Sequence, residues 1–232
     1  MAVILSIETS TKTSSIAIHE NGILISSLHV HLEKSHSEYL TLSIKYLLRT
    51  SGIKMDTLDS VAISKGPGSY TGLRIGTSTA KGICYALDAK LISVNTLEAM
   101  AFGMAKYQDK NALLCPMIDA RRMEVYCLVA NNNMNVIEKT QAKIIDQSSF
   151  EDLLKNNTMI FFGNGASKCK NELGISKNAI FIENIYPSAE HVGALAWESY
   201  QKDQFENTAY FEPFYLKDFI AKKPSVNKLV KQ

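Results

Sequence analysis

The sequence is poor in the features that assign a chain quickly to a chemistry. It has only four cysteines, Cys84, Cys115, Cys127 and Cys169, and no pair is spaced as C-x-x-C. Neither a zinc site nor a disulfide framework is therefore indicated, and a reducing compartment fits. No apolar run approaches the ~20 residues of a membrane helix. The opening "MAVILSIETS" is too short an apolar stretch for a signal peptide and lacks its basic flank. These absences lead to the expectation of a cytoplasmic protein with no membrane segment. Neither sign of charge dominates, with 25 Lys and Arg against 23 Asp and Glu. That balance argues against a stand-alone tRNA-binding module, which needs a basic stripe with interleaved aromatics. Part of the small excess sits in Lys222, Lys223, Lys228 and Lys231, which read as a solvated tail. Histidine is scarce too, at five residues. None lies in a nucleophile motif, so Ser10, Ser14 and Ser69 have no evident base for hydrolysis. His29 and His31 alternate along an expected strand but lack a third ligand, and read as surface histidines.

What is present is a chain long enough for one large or two small units, with 46% apolar residues to build a core. "VILSI", "SSIAIHE" and "ILISSLHV" alternate as strands, Ile16 and Ile18 then Ile23 and Ile25 leading the pattern. Asn21-Gly22 between the last two supplies the positive φ of a tight hairpin, so a three-stranded antiparallel meander is expected. Ser35 followed by Glu38 forms a capping box, and Tyr39, Leu40, Ile44, Leu47 and Leu48 give the helix after it an apolar stripe. A strand "SVAIS", a loop turning into a second helix near Tyr70, a strand "KLISVN" and a third helix from Thr96 complete this part. After Asp109 the pattern restarts. "ALLCPMID" and "MEVYCLVA" form a second hairpin, "MIFFGNG" is a strand entering a glycine turn, and "PSAEHVGALAWESYQ" is a helix opened by Pro187 and Ser188. The repetition predicts a duplicated α/β architecture: one unit over 1–108, a second over 109–218, and a basic tail over 219–232.

In the second helix Gly72, Gly76, Ala80 and Cys84 recur every fourth residue and share one face. Glycine inside a helix costs about 1 kcal/mol relative to alanine, so this face needs a close backbone neighbour in return. That neighbour is either internal, the chain's own sheet or first helix, or a partner's helix. Leu73 and Arg74 are expected to point to another surface. The preceding "GPGSYTG" feeds a helix N-terminus as anion loops do. It lacks the lysine and spacing of a phosphate loop, and reads as a tight turn.

The segments "IETSTKTSSIAI", "KGPGSYTGLRIGTSTAKGICYAL", "ISVNTLEAMA", "IDARRMEVY", "GNGASK" and "PFYLKD" together resemble the TsaB (YeaZ) family over about Val3 to Asp218. That family belongs to the bacterial machinery making threonylcarbamoyladenosine in tRNA. The resemblance implies an actin-like ATPase fold (ASKHA, RNase H-like), with two lobes, each a mixed β-sheet flanked by helices. It also implies a non-catalytic subunit that binds the transferase TsaD, with TsaE, for threonylcarbamoyl transfer to adenosine 37 of tRNAs decoding ANN codons. tRNA would be reached only through the complex. Where TsaD carries two histidines four apart on a helix, able to grip one metal ion from the same face, this chain has Thr96 and Met100. Where TsaD has an S-G-G-H-T turn, it has Asp119-Ala120-Arg121-Arg122-Met123, and its second glycine turn carries Asn164 in place of an acid. No catalytic residue, metal or cofactor is therefore expected, and Glu98 is expected to cap its helix together with Asn95. Partner contact is expected through Tyr39, Leu40, Ser43, Leu47, Gly72, Arg74, Gly76, Thr77 and Ala80, with a two-fold homodimer when TsaD is absent. A bulky charge at Gly76 should then break the contact. The competing reading is an ATP- and metal-dependent actin-like transferase or kinase active on its own.

Overall fold

A computed structural model describes residues 2–31, 36–108 and 111–217. The first half contains β1 (Val3–Glu8), β2 (Ser14–Glu20), β3 (Ile23–Val30), α1 (His36–Ser51), β4 (Ser60–Gly66), α2 (Tyr70–Leu87), β5 (Lys90–Asn95) and α3 (Thr96–Ala105). The second contains β6 (Leu113–Asp119), β7 (Glu124–Asn131), β8 (Val136–Ile144), α4 (Glu151–Asn156), β9 (Met159–Phe162), α5 (Lys170–Leu173), β10 (Ala179–Ile182) and α6 (Ala189–Gln201). Each half runs three strands, helix, strand, helix, strand, helix. The sheets have the same order, β3-β2-β1-β4-β5 and β8-β7-β6-β9-β10. In each, the first three strands form an antiparallel meander, and the last two join the first in parallel. The duplication read from the restart is thus a repeated topology, and the two mixed sheets give the α/β class. Ser35 of the expected capping box, Asp109 and the tail 219–232 lie outside the described residues.

Local chemistry sets the turns. Asn21 and Gly22 take φ of 50° and 79° between β2 and β3, as the hairpin signal requires. A Cβ on Gly22 would also run into the Trp197 indole, 2.7 Å from its Nε1, so α6 closes directly over this turn. Ser69 caps α2 by accepting from the Gly72 amide, and Asp88 ends it in the left-handed region. Ser188 caps α6 through the Glu190 amide.

Side chains on β1 alternate between two faces of the first sheet, and both are covered. Leu5 and Ile7 pack with Leu40, Ile44, Leu47 and Leu48 of α1 and Ala80 and Cys84 of α2. Ile4 on the other face packs with Val192 and Ala196 of α6. Burying each such aliphatic side chain contributes roughly 1.5–3 kcal/mol, so the α1 stripe alone anchors that helix firmly. The second sheet is covered by α4 and α5 on one face, through Leu154 and Leu173. Leu97, Met100, Ala101 and Met104 of α3 cover the other.

The closing helices are therefore exchanged. α3 ends the first half in sequence but packs on the second sheet, while α6 ends the second half and packs on the first. They meet where the His191 ring lies against Gly103, so that a Cβ there would overlap it, and edge-on to Phe102 at 6.4 Å. After α6 the chain stays with the first sheet. Glu206 donates its amide to Leu91 O at 2.8 Å, Phe214 donates to Lys65 O at 2.7 Å, and Phe211 enters the first core. The strands divide in sequence between the units expected over 1–108 and 109–218, while α6 and the segment after it pack against the first sheet. Sheets close on both faces only if each half lends a helix to the other.

Candidate functional site

The small-residue face of α2 lies on the C-terminal end of β1. A Cβ on Gly72 would overlap the Thr9 carbonyl, and one on Gly76 would overlap the Thr9 hydroxyl and come within 2.9 Å of Ile63 Cδ1. Thr9 Oγ1 donates to Gly72 O at 2.8 Å. The turn before the helix follows the same logic: Ser69 N donates to Ser10 O at 2.6 Å, and Gly68 leaves no room for a side chain against Ser10. Of the two alternatives for the glycine face, the neighbour is the chain's own sheet.

This settles where each expected contact residue lies. Leu40, Leu47, Gly72, Gly76, Thr77 and Ala80 are buried within the chain, whereas Tyr39, Ser43 and Arg74 reach the surface. Five of the buried positions, Leu40, Leu47, Gly72, Gly76 and Ala80, pack against the chain's own sheet, while Thr77, also buried, lines a cavity on the flank of α2. Leu73, expected outward with Arg74, is fully buried. A charge at Gly76 would strike Thr9 and Ile63, so that substitution probes the fold and not a contact.

The outward faces of the two helices carry other residues. On α1, Tyr39, Leu42 and Tyr46 are 42%, 64% and 60% exposed, at i, i+3 and i+7 on the side opposite the core stripe. On α2, Tyr85 is 90% exposed, and a Cβ on Gly82 would meet nothing within 4 Å. Leu42, Tyr46, Gly82 and Tyr85 escaped the sequence reading. The signal was a second apolar row on α1, out of phase with the first.

The three segments that depart from the TsaD pattern converge at this same end of the first sheet, since β5, which leads into α3, runs parallel to β4 and β1. Asn95 caps α3 by accepting from Leu97 N at 2.9 Å and Glu98 N at 3.3 Å, the capping role expected for it. Thr96 and Met100 are buried, and Met100 is one of the side chains of the core beneath the second sheet. Its methyl group would lie 2.9 Å from a Cβ on Gly163. Asn164 Oδ1 accepts from Asp119 N at 3.1 Å, so its side chain ties one turn to the other. Lys168 joins them by donating to Asp119 Oδ1 and to the carbonyls of Arg122 and Glu124. Arg121 and Arg122 take φ of 71° and 52°, a conformation glycine adopts without strain and side chains do not. A buried hydroxyl and a buried thioether do not fit a hard metal ion, and among the described residues no group of three or more His, Cys, Asp or Glu is placed to hold one.

Glu8 ends β1 at the same cleft. It is fully buried, its Oε1 accepts from Ser10 N at 2.5 Å, and its Oε2 has no partner, as is also true of the hydroxyls of Ser6, Ser10 and Ser64. Burial pushes its pKa above the ordinary carboxylate range, against partial relief from Ser10. Burial likewise raises Glu98, with Lys65 pulling the other way. His29 is no isolated surface histidine: its Nε2 lies 3.1 Å from Glu190 Oε1, while His31 meets Tyr186 edge-on at 5.2 Å.

Comparison with known proteins agrees with this geometry. Residues 30–225 match the family described as TsaD, tRNA N6-adenosine threonylcarbamoyltransferase. A tRNA threonylcarbamoyladenosine biosynthesis protein TsaB from Buchnera aphidicola is 33% identical over 189 residues, covering 78% of this chain and 84% of the relative. The crystal structure of a Pseudomonas aeruginosa protein with similarity to peptidase YEAZ superposes with a TM-score of 0.83 at 22% identity, over 94% of this chain and 100% of that one. At the level of fold alone, so does the activator of 2-hydroxyisocaproyl-CoA dehydratase from Clostridium difficile with bound ADPNP, with a TM-score of 0.53 at 11% identity, over 87% of this chain and 97% of that one. The repeated sheets, the exchanged helices and these likenesses agree that the chain belongs to the TsaB (YeaZ) family of tRNA threonylcarbamoyladenosine biosynthesis proteins, on the actin-like fold.

Proposed function

We propose that the chain is a non-catalytic cytoplasmic subunit that docks TsaD on the outward face of α1 and α2. Together with TsaE it supports threonylcarbamoyl transfer to adenosine 37 of tRNAs decoding ANN codons, meeting tRNA only through the complex. The observation that carries this reading is the apolar row Tyr39, Leu42 and Tyr46 on α1, exposed among the described residues, together with Gly82 on α2, where a Cβ would meet nothing within 4 Å. An exposed apolar row on a regular helix marks an interface, and a glycine with open space in front of it lets a second helix approach closely. The buried Thr96 and Met100 support the non-catalytic part, since the positions that would grip a metal are used for core packing. Without TsaD the same face pairs two copies about a two-fold axis.

The test is to measure TsaD binding and tRNA modification with the wild-type chain and with Tyr46→Asp, which places a charge on the row without touching the core. Loss of both binding and stimulation, with an unchanged melting temperature, supports the reading. Unchanged TsaD affinity defeats it. Stoichiometric metal and ATP turnover by the isolated chain would instead establish a transferase or kinase active alone.

A further inference from the structure

Between α2 and the segment that follows α6 lies a cavity of about 360 Å³, bounded on one side by Tyr70, Arg74, Thr77 and Lys81 and on the other by Glu212 and Tyr215. Its chemistry is unlike the rest of the helix face. Arg74 lies over the Tyr70 ring at 5.3 Å and donates to its hydroxyl at 3.0 Å, which fixes the guanidinium at the rim. Tyr70 in turn packs on Tyr215 at 5.0 Å. Lys81 spends hydrogen bonds on two neutral carbonyls, Ala209 O at 3.0 Å and Phe211 O at 3.1 Å. Among the described residues, neither Arg74 nor Lys81 forms an ion pair with Glu212 or with any other carboxylate. The Thr77 hydroxyl is buried without a partner, and an unsatisfied buried hydroxyl costs free energy until something bonds to it.

We infer that this cavity is a socket for a carboxylate side chain of the docked partner subunit, and that it selects the partner by charge. The inference rests on the docking face proposed above. Two held cations against one acid leave a net positive charge, and charge complementarity at a partly enclosed site sets specificity more than raw affinity. The planar guanidinium suits a carboxylate, which it can bind through two parallel hydrogen bonds. The place on the helix points to a partner and not to a free ligand. Arg74, Ser78, Lys81 and Tyr85 follow one another at spacings of three and four residues, so the socket and the exposed Tyr85 lie on one side of α2. A partner helix seated over Gly82 would bring a side chain to the mouth.

The experiment compares TsaD affinity from the same organism for wild type, Arg74→Ala, Arg74→Glu, Thr77→Val and Tyr46→Asp, each at low and moderate salt, with melting temperatures as a check of folding. A socket predicts a loss of tenfold or more for Arg74→Ala, a larger loss for Arg74→Glu, and a weaker salt dependence in Arg74→Ala than in wild type. It also predicts that changing one Asp or Glu of TsaD to Lys restores binding to Arg74→Glu. If Tyr46→Asp abolishes binding while both Arg74 variants keep the wild-type affinity and salt dependence, the socket is wrong and the docking face stands. If all variants bind as wild type does, the docking face itself has failed. Titration of the isolated chain with inorganic phosphate gives the remaining outcome: binding lost in Arg74→Ala, with TsaD affinity unaffected by that substitution, makes the cavity a small-anion site and overturns the inference.

Discussion

Gly76 and Thr9 are in contact through the space where a side chain would be. A Cβ on Gly76 would overlap the Thr9 hydroxyl, which is held by its donation to Gly72 O at 2.8 Å. Gly82, on the same helix, faces open space. Substituting alanine should therefore act in opposite directions. Gly76→Ala gains helix propensity but must displace Thr9, and overpacking of this kind costs about 1–3 kcal/mol. Gly82→Ala should stabilise by about 0.5–1 kcal/mol. Denaturant midpoints of the two variants check both signs; equal shifts would show that the face of α2 has been misread.

Gly82→Ala carries a second expectation. If Gly82 admits a partner helix, alanine there weakens TsaD binding even as it stabilises the isolated chain. Calorimetric titration alongside thermal melting separates the two effects. A tighter complex would mean that the helix is not approached at this point.

Glu8 gives the chain a pH dependence of predictable sign. Below its unfolded pKa of about 4.3 the carboxyl is protonated in both states and adds no cost. Because burial raises the folded pKa, stability is lost as the pH rises through that value and the charge must be carried inside the protein. Glu8→Gln keeps an acceptor for the Ser10 amide and removes the charge. The difference in unfolding free energy between Glu8→Gln and wild type should therefore grow over a range that begins at about pH 4 and extends upward. A difference that stays flat across that range would place an ordinary carboxylate at the end of β1.

Cys84, Cys115, Cys127 and Cys169 are all buried and free. Burial pushes the Cys84 and Cys169 thiols up to about 11. The thiolate is the reactive form, so a thiol reagent at neutral pH should label the native chain only at its rate of opening, and all four sites at once in denaturant. Rapid labelling of one thiol in the native chain would contradict the packing described.

The strands and helices that carry strong periodicity or turn chemistry were legible in the residues: the Asn21-Gly22 hairpin, the Ser188 cap and the alternation along β1. β8, β10 and the short α4 and α5 were not read, because partly exposed edge strands and brief helices lack a sustained period. The exchange of α3 and α6 could not be read from the order of elements, since each helix is apolar enough to pack on either sheet. On α2 the four-residue spacing correctly signalled close approach, but spacing carries no information about what approaches. Thr9 and Ile63 answer that only in three dimensions. The exposed row on α1 was partly hidden, because Tyr39 was counted with the core stripe although it lies a third of a turn away from it.

The helix exchange also orders the birth of the protein on the ribosome. Besides Ala99 of α3, the buried side chains that cover Ile4, Ala62, Ile92 and Val94 are Val192 and Ala196 of α6, which are translated long after the strands that need them. Until then the nascent first sheet has one bare oily side, and a chain stopped short of α6 is no smaller working version of the protein but a sticky fragment. Synthesis must run past Ala196 before the first lobe is finished, although its strands are the first to be made.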